Sequence, residues 1–140
     1  MTRRGPASPA SHGDAPLRLK KAEAYLQAAR DGLALLETEE VADPVVSNIV
    51  NSAIGFADAV TATIGGVINR QDHKAVVKLL RSLLNDRFAK GEAARLTRIL
   101  DRKEAAQYGT TFVRPAEAAR LLVDLEKFAE WARRTISERR

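Results

Sequence analysis

Apolar residues recur at alternating spacings of three and four along most of the chain, the period of a helix that buries one face. The first run is Leu19, Ala22, Leu26, Ala29, Leu33 and Leu36, flanked by Tyr25. It predicts a helix that opens near Pro16 and frays or turns by about residue 40, because Glu37, Glu39 and Glu40 crowd the end where the helix dipole disfavours negative charge. Asp43-Pro44 then reads as an N-cap followed by a first-turn proline. The second helix carries Val46, Ile49, Val50, Ala53, Phe56, Ala57, Val60, Ile64 and Val67, and Asp58 is the only charge between Pro44 and Ile68. Its other face shows Ser47, Asn51, Ser52, Gly55, Thr61 and Thr63. Small side chains there suit the close approach of a helix, from this chain or from a second copy.

A third helix starts around Gln71-Asp72 and buries Val76, Val77, Leu79, Leu80, Leu83 and Leu84. Asn85 to Gly91 is a break. The fourth helix runs from about Glu92 to Tyr108 on Ala93, Leu96, Ile99, Leu100 and Ala106, and Gly109 stops it. TTFVR, residues 110–114, is an extended connector too short and solitary for a sheet. Pro115 opens the last helix, with Ala118, Leu122, Leu125, Ala129, Ala132 and Ile136 on the seam and Phe128 and Trp131 widening it. No stretch alternates with the period of a strand. The pattern predicts an all-α protein, an antiparallel four- to five-helix bundle over residues 14–137. The Pro/Ser/Gly/Ala-rich stretch 1–13, which includes His12, reads as a flexible tail, and 138–140 as a basic C-terminal tail.

Composition changes this picture little. A length of 140 residues suits one domain with a real core. The absence of cysteine excludes disulfides and thiolate metal sites and fits a cytoplasmic location. No run of 18 apolar residues occurs, and MTRRGPASPASHG has no apolar stretch behind its arginines, so neither a membrane span nor a secretory signal is expected.

Charge changes it more. The net charge is +5, and the stretch 70–108 holds ten Lys and Arg against five Asp and Glu, so the whole excess is local to it. There the cations fall into two stripes, Lys74, Lys78 and Arg81 on the third helix and Arg95, Arg98 and Arg102 on the fourth. Most such stripes are solvated faces. If these two converge, they would form a patch for the phosphates of a nucleotide or nucleic acid. Phe88 is the only aromatic interleaved with them that could stack on a base.

Catalytic chemistry finds little to work with. His73 is the only histidine in a helical element, and no Glu-x-x-His pair accompanies it for a carboxylate-bridged metal pair. No serine sits on a GxSxG turn, and Gly65-Gly66 is not a phosphate-cradling loop. His73 beside Asp72 reads most simply as part of a helix cap, Tyr108 as an anchor for a helix end, and Asp101 and Lys103 as exposed ion-pair formers.

One family pattern fits the order of these elements. His73 with Leu79-Leu80, then L-x-x-I-L-D-x-K-x-x-A-x-Y-G carrying Leu96, Leu100, Asp101, Lys103, Ala106 and Tyr108, then Phe128, resembles the HEPN family (higher eukaryote and prokaryote nucleotide-binding domain) over residues 16–136. The resemblance implies a helical bundle, a homodimer, and a partner that is a nucleotidyltransferase or handles nucleic acid. Many HEPN proteins are metal-independent ribonucleases whose arginine and histidine, a few residues apart, meet across a dimer interface. Here Arg102 is followed after five residues by Tyr108, and no arginine stands at the motif's spacing before His73. A phenol of pKa about 10 is a poor proton carrier at neutral pH, where imidazole serves well. The chain therefore resembles the non-catalytic branch. The expectation is a non-enzymatic binding or interaction module, without cofactor, that contacts its ligand through Lys74, Lys78, Arg81, Arg95, Arg98 and Arg102. The alternatives are a divergent ribonuclease using Arg102 and Tyr108, or a structural subunit of a larger assembly.

Overall fold

A computed structural model describes residues 7–11, 14–69, 72–109 and 111–138, with residues 104, 105, 107 and 108 described in backbone only. Its centre is helix α2, Asp43–Gly65, whose apolar residues face neighbours on several sides. Pro44 sits in its first turn, and Gly66 ends it at φ 65°, its N–H bonded to the carbonyls of Ala62 and Thr61. By length and a hydropathy of 1.3 this helix is apolar enough to cross a membrane, but 67% of that stretch is buried by the other helices.

Ion pairs and close contacts fix how the remaining helices run. Helix α1, Asp14–Ala34, lies antiparallel to α2, with Arg18 on Asp58, Ala22 against Ser52 and Gly55, and Gly32 against Val45. Helix α5, Pro115–Glu138, is antiparallel to α1 through Arg30–Glu126 and Glu23–Arg133. Helix α4, Lys90–Tyr108, is antiparallel to α5 through Arg98–Asp124 and Arg102–Glu117. These four helices enclose Phe56, Phe128, Leu26, Ile49, Leu96, Ile99 and Leu125, all fully buried. Burying one such side chain contributes about 1.5–3 kcal/mol. The short α3, Ala75–Leu84, packs Val76, Leu80 and Leu84 onto this bundle.

The 3-10 turn Asn85–Arg87 carries the chain from α3 towards α4. Trp131 of α5 holds it there, donating its indole N–H to the Arg87 carbonyl at 3.0 Å and packing on Phe88 and Phe128. Phe88 is thereby 5% exposed, so the one aromatic among the basic stripes is not available for stacking on a base.

Val67, read as part of the second helix, lies beyond its end in a strand, α3 begins at Ala75 rather than near Gln71-Asp72, and α4 begins at Lys90 rather than near Glu92. Three further differences change the packing. Ala7–Pro9, inside the stretch read as a flexible tail, is a strand (β1) paired antiparallel with Val67–Asn69 (β2). The strand pair is anchored by Ile68, which is buried, and by the Ala10 N–H bonded to the Gly66 carbonyl at 2.8 Å. Three residues are too few to display the two-residue alternation by which a strand is recognised. The remainder of that stretch, residues 1–6 and 12–13 with His12, lies outside the described residues. Second, α1 ends at Ala34, so Leu36 packs against the core from the loop beyond it. Third, Asp43 does not cap α2. Its Oδ1 accepts the Val113 N–H at 2.8 Å, while the Ala42 N–H donates to the Val113 carbonyl, so it ties the α4–α5 connector to the start of α2.

The small-residue face of α2 is largely used inside the chain. Ser52 is buried and donates to the Ala22 carbonyl at 2.8 Å, and Gly55 lies so close to α1 that a Cβ there would stand 2.9 Å from the Ala22 Cβ. Thr61 is also buried. A homodimer through this helix would have only Ser47, Asn51 and Thr63 of that face to use.

Candidate functional site

The turn before α3 shapes the first half of the site. The Asp72 side chain accepts the Ala75 N–H at 3.1 Å, and Asn69 of β2 donates to the Asp72 carbonyl at 3.1 Å. Asp72 thus performs the capping that the sequence suggested for His73. The imidazole instead lines a cavity of about 500 Å³ together with Asp72, Lys74, Leu100 and Lys103. Burial holds its pKa below the usual imidazole value, with the positive charge of Lys103 acting the same way and Asp72 opposing. Lys74 reaches across to α4 and pairs with Asp101 at 3.1 Å. Four residues singled out separately, His73, Lys74, Asp101 and Lys103, therefore meet where α3 begins beside α4.

A second hollow, of about 360 Å³, lies between the end of α3 and the start of α4. Arg81, Lys90, Ala93, Ala94, Thr97 and Arg98 line it. Lys78 is exposed on α3 one turn beyond Lys74 and one turn short of Arg81. The α3 stripe thus runs from one hollow to the other, and Arg98 joins it from α4.

The other two cations of the α4 stripe are paired elsewhere. Arg95 pairs within its own helix with Glu92 at 3.0 Å, and Arg102 pairs with Glu117 of α5 at 2.6 Å. Arg98 is shared, since it also makes a two-pronged contact to Asp124 with both bonds at 3.0 Å. Among the described residues Lys78, Arg81, Lys90 and Lys103 make no ion pair. Tyr108 is described in backbone only, so a meeting of its ring with Arg102 lies outside the described side chains.

Lys90 is the residue that pattern reading missed. It falls outside the i, i+3, i+7 stripe of α4, and only the antiparallel return of α4 along α3 brings it to Arg81. The sequence reading placed it in the break between the third and fourth helices, whereas α4 begins with it. Asp58 stood out in the sequence as the one charge of an apolar run, but its environment did not. It is 6% exposed, its Oδ2 stands 3.3 Å from Arg18 Nη1, and burial pushes its pKa up to about 6 against the opposing pull of that arginine.

Two hollows whose linings include lysine and arginine side chains can hold phosphates. Among the described residues no three His, Asp or Glu side chains group as metal ligands do. No known family model matches the chain, and no curated protein does.

Proposed function

We propose that this protein is a non-enzymatic, HEPN-like helical binding module that takes the phosphate backbone of a single-stranded nucleic acid along the groove between α3 and α4. The observation that carries the reading is the convergence of the basic residues. Lys74 and Lys103 line one hollow, Arg81, Lys90 and Arg98 line the other, and Lys78 is exposed on α3 between Lys74 and Arg81. The order of helices and the gathering of His73, Asp101 and Lys103 at one place support the HEPN-like part. Phe88 is enclosed, so affinity here comes from phosphates, and sequence preference is low. Arg102 pairs with Glu117 at 2.6 Å, which favours the binding reading over the ribonuclease one.

Fluorescence anisotropy with a short single-stranded RNA across a salt series tests this. Three or four phosphate contacts give log K falling with log salt at a slope of about −2 to −3, at roughly 0.7 per contact. Lys78→Glu with Arg81→Glu should flatten that slope and weaken binding. An affinity indifferent to salt, or no binding at about 50 mM salt, sinks the proposal.

A further inference from the structure

His73 stands in a hollow lined by ionisable groups of both signs. Lys74 and Lys103 bring two positive charges; Asp72 and Asp101 bring two negative ones, Asp101 through its contact with Lys74. Lys103 disfavours the imidazolium and Asp72 favours it, Lys74 lines the same hollow, and Asn69 of β2, bonded to the Asp72 carbonyl, is uncharged. Among these described groups the imidazole proton therefore decides whether the sum is zero or positive. With the imidazole neutral the cluster sums to zero, and with it protonated the cluster carries one positive charge beside Lys103. Leu100 supplies an apolar wall, and about 500 Å³ leaves room for a phosphate with part of the group it is attached to.

We infer that His73 is a proton-gated phosphate contact: when the imidazole is protonated, the hollow at the start of α3 binds a phosphate of the ligand, and when it is neutral, that end of the groove stays empty. The inference rests on the anion-binding reading of the groove and adds its regulation. Protonated imidazole donates from both ring nitrogens, so it can hold a phosphate oxygen and a second acceptor together. Burial and Lys103 keep the free imidazole below its usual value, so it is neutral at pH 7.5. A bound phosphate offsets both the cost of burying the imidazolium and the repulsion from Lys103. Binding consequently takes up a proton, and by linkage it strengthens as pH falls below the ordinary imidazole range.

Two measurements test it. In the first, the His73 imidazole is titrated by NMR with sodium sulfate as the probe, against sodium chloride at equal ionic strength; sulfate does not itself titrate in this range. Sulfate should raise the imidazole's apparent pKa. In the second, RNA affinity is compared at about pH 7.5 and about pH 5.5 at fixed salt, where the gain should be about tenfold, the worth of one charge-assisted hydrogen bond. His73→Gln should lose that gain, while Lys78→Glu with Arg81→Glu should weaken binding at both pH values and keep it. A full gain in His73→Gln, or an imidazole that sulfate leaves unmoved, overturns the inference. If sulfate moves the imidazole but RNA binds at neither pH, the gated anion site stands and the nucleic-acid reading falls.

Discussion

Asp58 places a carboxylate inside the apolar wall of α2 with one arginine beside it. Burial is the larger effect, and it moves the pKa from the ordinary 3.8 to about 6. The sign follows from proton counting. Between those two values the folded chain holds a proton that the unfolded chain has released, so stability falls as pH rises through the window and stays level above it. The loss amounts to about 3 kcal/mol at most, from about two units at ~1.4 kcal/mol each. Asp58→Asn keeps the shape and removes the charge. Urea denaturation should find it equal to the parent near pH 4 and more stable by about 2 kcal/mol near pH 7, with the difference growing between. A variant less stable than the parent at pH 7 would mean that the Arg18 contact outweighs desolvation. Asp58 was visible in the sequence as the one charge in an apolar run. Its consequence was not, because burial depends on where α1 lays Arg18. The same holds for His73, whose neighbour Asp72 supplies the cap and leaves the imidazole free to face Lys103.

Helices were legible wherever an apolar seam outlasted three turns, as in α1, α2, α4 and α5, because burial of one face imposes a period that survives in the sequence. The β1–β2 pair was not, since three residues on each strand leave no period to read, and its pairing joins segments far apart in the chain. Asn85 is another local feature hidden from pattern: it takes φ 51° at the end of α3, a backbone conformation usually left to glycine. The small residues of α2 read in the sequence as a surface for the close approach of a helix, from this chain or from a second copy. Ala22 of α1 occupies it at Ser52 and Gly55. A Cβ at Gly55 would meet the Ala22 Cβ at 2.9 Å and its Cα at 3.2 Å, so it meets backbone that cannot swing aside. Gly55→Val should therefore push the two helices apart and lower unfolding free energy by about 2–3 kcal/mol, the usual scale of overpacking. At Gly32 the neighbour is instead the end of the Val45 side chain, at 3.2 Å. Gly32→Ala should be near neutral, with helix propensity gaining about 1 kcal/mol against a small adjustment. Equal losses at both positions in chemical denaturation would show that contact with α1 is not what constrains Gly55.

Over the whole molecule, the excess positive charge is divided by use. The outer faces of α1 and α5 are laced by reciprocal pairs, Glu23–Arg133 and Arg30–Glu126, and α4 is stitched to α5 by Arg98 and Arg102. Cations in those pairs act within the fold, and half-exposed pairs of this kind contribute little each. The α3–α4 side is different, because Arg81, Lys90 and Lys103 line its two hollows and Lys78 is exposed on α3, none of them with an ion pair among the described residues. From the sequence alone the six stripe residues were equivalent. Which of them a ligand meets depends on which way α4 turns its faces, and that is fixed by Asp124 and Glu117 on a helix much later in the chain. The division makes a prediction that separates the readings of Arg102. Arg102→Ala removes a contact to α5 and a guanidinium whose Nε is already buried without a partner among the described residues. RNA affinity and its salt slope should stay within error of the parent, with stability changed by no more than about 1 kcal/mol. Lys78→Ala, which touches no packing, should weaken binding about threefold to tenfold and reduce the slope by roughly 0.7. If the order is reversed, so that Arg102→Ala abolishes binding or removes an RNA-cleaving activity while Lys78→Ala does nothing, the functional face lies on the α5 side of α4 and the ribonuclease reading regains its arginine.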